Sequence, residues 1–321
     1  MTTSSVYKIT GVGDVITVAE NQTNGEIELS GGPVGEITPP PGFGFDFSKL
    51  PGTLKIYKQL DGTIGWSYDY MDLLDDTAKN APLERIIHVS TTGNDANTGV
   101  GTYIGDFSNA KASITSAVSY GNALLTGFQV IVAPGFYVRT QGFHGMVPVR
   151  PCWVRGWCDS QDTRPVIAIT EDLTWAADGT YTNCYSVARS SVMRVIDLTG
   201  TKDKFGNYPE LVRQSTATLC NDNPGSWYTN GTTLYVNRTD GTAPTNATTR
   251  ALMNVPWGTL SASVTNILLE DLVFYGGYPS MAMGETSVYA AVNCRWGYQG
   301  GEEQVKDSIA LLRCQIGVFI R

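Results

Sequence analysis

Residues Ile86 to Tyr137 read IIHVSTTGNDANTGVGTYIGDFSNAKASITSAVSYGNALLTGFQVIVAPGFY. Ile86, Ile87 and Val89 form a β-branched run that predicts a strand, stopped by the turn cluster Gly93-Asn94-Asp95. Ser113 is placed to cap a short helix whose Ile114, Ala117 and Val118 share one face. Phe128 to Val132 is a second apolar strand, ended by Pro134-Gly135. The order is therefore strand, turn, helix, strand, turn.

Toward the C-terminus the chain repeats weakly. Leu269-Glu270-Asp271-Leu272-Val273 aligns with Val292-Asn293-Cys294-Arg295-Trp296 and with Leu312-Arg313-Cys314-Gln315-Ile316, at offsets of 23 and 20 residues. Such offsets suit stacked parallel strands, about 4.8 Å apart. Leu269, Val292 and Leu312 would form one inward row; Asp271, Cys294 and Cys314 would form another. An inward Asp271 would need hydrogen-bond partners; the alternative reading is that it marks a bend.

Upstream, Val6–Ile9, Val15–Val18 and Glu26–Leu29 are short β patterns that make residues 1–32 a small head. Residues 33–52 are a linker, with Pro39-Pro40-Pro41 favouring extended polyproline II and Phe43, Phe45 and Phe47 alternating after it. Residues 53–85 read as a hairpin around Asp61-Gly62 and a short helix from Met71 to Ala78. An insertion over about 170–248 carries another hairpin, Ser226-Trp227-Tyr228 and Thr233-Leu234-Tyr235-Val236 around Asn230-Gly231.

Charged residues make up only 16% of the 321, against 35 glycines, 16 tyrosines and 7 tryptophans. That suits a turn-rich β chain better than one with charged helical surfaces. The net charge of −8, without a Lys/Arg run, argues against nucleic acid. No signal peptide and no apolar run long enough to span a membrane is read at the N-terminus or elsewhere. The six cysteines follow no metal spacing and read as buried thiols, and Asp72, Asp75 and Asp76 read as a solvated turn, so neither a metal nor a cofactor is expected.

His88 lies inside a strand and His144 in a loop, neither beside a nucleophile motif. Glycoside hydrolysis needs two carboxyls about 5–9 Å apart; the candidates are Glu270, Asp271, Glu285, Glu302, Glu303 and Asp307, with Arg295 and Lys306 as the nearby cations. Sugar binding needs flat aromatic faces; Trp257, Tyr275, Tyr278, Trp296 and Tyr298 are the carbohydrate-binding candidates. Aromatics at these positions are equally ordinary packing, and both readings stay open.

Val89 to Gly99 fits the pattern V-S-x-x-G-N-D-x-N-x-G, and Val130 to Tyr137 fits V-x-V-x-P-G-x-Y. Together they resemble the start of right-handed parallel β-helix proteins of the pectate-lyase-like class. With a β head and a Pro-rich linker in front, the chain resembles bacteriophage tailspike and tail-fibre proteins. The resemblance implies an all-β fold, a parallel β-helix over residues 86–321 continuing past Arg321, and a homotrimer. It implies a virion location, with residues 1–85 anchoring to other tail or baseplate proteins and the body recognising a host surface polysaccharide. Two alternatives accompany it: a polysaccharide depolymerase, hydrolase or lyase, with active residues beyond Arg321, and a purely architectural virion part. The D-P-H-E signature of mannuronan epimerases is missing.

Overall fold

The computed structural model describes residues 76–158, 163–203, 206–262, 266–283 and 288–297. It also describes the strands Thr17–Asn21, Glu26–Ser30, Lys55–Lys58, Ile64–Ser67, Gln304–Val305, Ser308–Leu312 and Gln315–Ile316. The chain divides into two units, residues 1–72 and 73–321. In the first, Thr17–Asn21 pairs antiparallel with Glu26–Ser30, and Lys55–Lys58 with Ile64–Ser67. The Val6–Ile9 pattern and the proline and phenylalanine linker lie outside the described residues.

The second unit is built on parallel sheets. One has six strands in the order Ile86–Val89, Phe128–Val132, Cys152–Gly156, Ile267–Glu270, Val288–Val292 and Ser308–Leu312. A second orders Phe136–Tyr137, Val166–Ala168, Val273–Tyr275, Arg295–Gly297 and Gln315–Ile316. A third holds Pro256–Ala262, Tyr278–Met283 and Gln304–Val305. Side chains alternate across a strand, so in-register partners share a face. Val130, Val154, Leu269 and Ala291 are such partners, and all are buried in the main core. Phe274, on the second sheet, joins that core stacked 5.3 Å from Trp296 and 5.6 Å from Phe143.

The helix Ile114–Asn122 closes one end of this core with Ile114, Ala117, Val118 and Gly121 buried. Ser113 caps it, its hydroxyl accepting from the Ser116 amide at 3.1 Å. Asp95, in the preceding turn, accepts from the Ala112 and Ser113 amides and from the Ser113 hydroxyl, each at 2.9 Å. Turn and helix start are thereby fixed as one piece.

Between the parallel strands sits an inserted module. Its five-stranded sheet runs Ala176–Ala177, Tyr185–Ala188, Thr233–Asn237, Ser226–Thr229 and Val212–Arg213, mostly antiparallel. Val192–Asp197 pairs antiparallel with Thr249–Met253. Trp227, Leu234, Val236, Val195 and Ala251 give the module its own core.

The expected fold class, an all-β right-handed parallel β-helix, is corrected here to a mixed α/β arrangement of several parallel sheets. Helices at Asp76–Lys79, Ile114–Asn122 and Ala217–Asp222 are integral to the packing, and the module contributes separate antiparallel sheets. The expected row Leu269, Val292, Leu312 is also off by one at its first step. Val292 does pair with Leu312, but it faces Glu270, while Leu269 faces Ala291. Because side chains alternate, a one-residue slip exchanges the two faces. Asp271 is a bend, with φ of 54°, and so is Asn293 at the matching place on the next strand, with φ of 51°.

Candidate functional site

Both histidines are explained by local structure. His88 is buried; its Nδ1 lies 3.1 Å from the Gly99 carbonyl, and its Nε2 accepts from the Gly105 amide at 3.0 Å. One nitrogen donates and the other accepts, so the ring is held neutral, and burial pushes its pKa down. His144 is exposed in its loop, its Nε2 3.3 Å from Arg139. Arg139 and Arg189 both pair with Glu171, at 3.2 and 3.0 Å.

Of the predicted sugar-binding aromatics, the structure buries two. Tyr275 is enclosed, its hydroxyl 3.3 Å from the Gly206 carbonyl and receiving Arg295 Nη2 at 3.2 Å. Trp296 stacks on Phe274 inside the core. Their faces are occupied by protein, which removes them from a surface role. Trp257 and Tyr278 belong to strands Pro256–Ala262 and Tyr278–Met283, whose side chains lie outside the described residues, as does all of Tyr298. Glu285, Glu302, Glu303, Asp307 and Lys306 lie outside them too, and Arg295 is spent on Gly206 and Tyr275.

Glu270 and Asp271 are the carboxylates the structure places in a defined environment. Strand Ile267–Glu270 lies beside Cys152–Gly156, with Glu270 opposite Arg155 and Leu268 opposite Trp153. Trp153 Nε1 donates to Glu270 Oε2 at 3.0 Å, and the Arg155 guanidinium sits 4.5 Å over the Trp153 ring. Glu270 thus accepts from a fixed indole donor that is itself stacked by a cation. Asp271 differs: it is half-buried, and desolvation pushes its carboxyl above the ordinary range. Arg164, a hydrogen bond with Asn293 and Arg155 oppose that shift without cancelling it. Arg164 itself bonds the Asn293 carbonyl. Two adjacent carboxyls thus sit in unlike environments.

The chain segment that packs on the bend continues into an exposed aromatic residue. Gly156 packs on the bend so closely that a Cβ there would lie 2.3 Å from the Asp271 carbonyl oxygen. Trp157 follows, 44% exposed, with its indole lying against Gly105; a Cβ at Gly105 would sit 2.7 Å from the ring. Gly105 has φ of 93°, so both its backbone and the ring contact require glycine. Phe107 meets Trp157 edge-on at 6.5 Å and His88 at 5.3 Å, which ties the platform to the strand beneath. Tyr103 and Ile104, in the same loop, are 65% and 45% exposed. Trp157 is absent from the sequence-derived candidates, since it lies in the Cys152–Cys158 stretch and outside the aromatic-rich segment near the C-terminus. The visible signal was a tryptophan directly after a strand-ending glycine.

Among the described residues no group of His, Cys, Asp and Glu is arranged to hold a metal ion. No helix there is long and apolar enough to cross a membrane.

No family model matches the chain, and no curated protein matches it. Two solved structures are similar at 9% identity. One, titled a glycoside hydrolase, covers 68% of this chain and 62% of its own, with a TM-score of 0.38. The other, a complex of XylC with xylose, covers 68% and 53%, with a TM-score of 0.36. The chain therefore spans less than two thirds of either structure's length. The resemblance drawn from residues 86–321 to β-helix tailspike and tail-fibre proteins is withdrawn on the fold itself, a mixed α/β arrangement of several parallel sheets with an inserted antiparallel module.

Proposed function

We propose that this chain is a carbohydrate-active protein that binds a polysaccharide on the Trp157 platform and hydrolyses it with Glu270 and Asp271. The observation that carries the reading is the pair of carboxyls in unlike environments beside an exposed, glycine-seated indole. Trp157, with Tyr103 alongside, would stack on a sugar ring. Asp271, protonated to higher pH than an ordinary aspartate, would give its proton to the glycosidic oxygen as the bond to the anomeric carbon breaks. Glu270, held by the Trp153 indole, would act as the second carboxylate. The hydroxyl of water ends on the anomeric carbon, and its second proton restores the acid.

The test is incubation of the full chain with a panel of polysaccharides, scored for binding and for new reducing ends. Trp157→Ala should weaken binding about tenfold, roughly 1.4 kcal/mol. Glu270→Gln and Asp271→Asn should keep binding and slow cleavage by about 10²-fold or more. Binding by the wild type without cleavage removes the hydrolytic step and leaves recognition. Unsaturated products would assign a lyase. Cleavage that survives both carboxyl substitutions takes the chemistry away from this pair.

A further inference from the structure

In the inserted module, Cys184 and Cys220 place their sulfurs 3.7 Å apart, and both side chains are buried. Their backbones are pinned together by the residues next to them. The Asn183 amide donates to Asn221 Oδ1 at 2.9 Å, and Asn183 Nδ2 donates to the Asn221 carbonyl at 3.1 Å. Cys184 is set in a turn by its amide on the Tyr181 carbonyl at 2.8 Å and by its own carbonyl receiving the Asp178 amide at 3.0 Å. Cys220 sits in helix Ala217–Asp222, capped by Thr216, and its carbonyl accepts from Asn237 Nδ2 at 3.0 Å and Ser226 Oγ at 3.2 Å. A disulfide needs sulfurs about 2.05 Å apart, an approach that side-chain rotation can supply when the backbones are already adjacent.

We propose that Cys184 and Cys220 are a disulfide site that locks the module when the chain folds in an oxidising medium and stays open as two thiols in a reducing one. The step removes two protons and two electrons from the thiols and forms one S–S bond. The oxidant is a low-molecular-weight disulfide, such as oxidised glutathione, which is reduced to two thiols. The thiolate is the attacking species. In the folded module burial pushes Cys184 up to about 12 and raises Cys220 as well. The reaction therefore belongs to folding or to opening of the module, and a bridge once formed is shielded from exchange. The residues joined lie 36 apart in sequence, so the bridge closes a sizeable loop across the module.

The experiment refolds the full chain in reduced and in oxidised glutathione, then alkylates and digests it without reductant. The expected result is a linked pair of peptides carrying Cys184 and Cys220, lighter by two hydrogens and released by dithiothreitol, only in the oxidised sample. The oxidised protein should melt roughly 5–10 °C higher. Both thiols remaining alkylatable after oxidative refolding would overturn the proposal, as would linkage of either to another cysteine. Cys184→Ala offers a second reading: its melting temperature should not respond to the redox buffer, and a response as large as the wild type's would place the effect elsewhere.

Discussion

The parallel sheets and the inserted module hold together in different ways. In the parallel body, neighbours across a sheet come from distant parts of the chain: Trp153 and Glu270 touch although 117 residues separate them. Its order rests on in-register apolar rows such as Val130, Val154, Leu269 and Ala291. The module combines short-range turns with strand pairings of longer range, such as Tyr185 with Val236. Asn230 accepts from the Thr232 and Thr233 amides at 3.0 and 2.8 Å, and Gly231 takes φ of 97° to complete the hairpin. Buried Arg238 pairs with Asp240 at 3.1 Å and Asp197 at 3.8 Å. Distant pairing makes the body one cooperative unit, because no row survives the loss of its neighbours. The module's separate core predicts that it opens without the body.

The sharpest test of this difference removes one large aromatic from each region. Phe274→Ala should cost about 3–5 kcal/mol and lower the stability of the whole body, since Trp296 and Phe143 lose their shared partner. Trp227→Ala removes a fully buried ring from the module and should cost a comparable amount locally. Amide hydrogen exchange distinguishes them: faster exchange across Phe128–Val132 and Ile267–Glu270 in the first variant, and confined to residues 176–237 in the second. Exchange spreading over the body in Trp227→Ala would show that the two regions unfold together.

Helix caps give a smaller version of the comparison. Ser113→Ala removes the cap of Ile114–Asn122 and also the hydroxyl bond to Asp95, which keeps its two backbone amide bonds, so a loss of about 1–2 kcal/mol is expected in urea unfolding. Thr216 caps the module helix through the Leu219 amide at 3.1 Å, without a second carboxylate behind it. Thr216→Ala should cost about 1 kcal/mol or less, and the loss should appear as local exchange in Ala217–Asp222. Equal global losses would erase the distinction.

What could be read from the sequence follows the same division. The Asn230-Gly231 hairpin and the Ser113 cap were legible because a few adjacent residues decide them. The parallel pairing was legible only as an approximate spacing, because Leu269 is followed by a polar Glu270 and Ala291 by an apolar Val292, so alignment of the apolar positions alone favours the wrong partner by one residue. The observed register sets Leu269 against Ala291 on one side and Glu270 opposite Arg155 on the other. The candidate site was legible in its carboxylates but not in its aromatics. Tyr275 and Trp296 look like a sugar-facing row by composition, yet the pleat sends Trp296 into the main core beside Phe274 and Tyr275 the other way, into a second cluster with Val166, Ile196 and Leu252. Trp157 owes its exposure to Gly105, distant in sequence and brought beneath it by the loop.

The bend also carries the finest test. Asp271 holds its proton to higher pH in the folded chain than an ordinary aspartate does, chiefly because it is half-buried. Above the ordinary aspartate range the folded form therefore binds more protons than the unfolded one. The associated stabilisation is complete in acid, below the unfolded pKa, and is lost as pH rises through the folded value. At neutral pH the charged carboxylate is thus a modest burden on the fold. Asn293 occupies the matching bend on the next strand with the same left-handed backbone, so asparagine is sterically acceptable there. Asp271→Asn should flatten the pH dependence of the urea midpoint and raise stability near neutral pH by less than about 1 kcal/mol. A destabilised variant at neutral pH would mean that the ion pairs with Arg164 and Arg155 outweigh burial. A variant that is more stable but no longer cleaves glycan would mark Asp271 as a residue kept for chemistry against the interest of the fold.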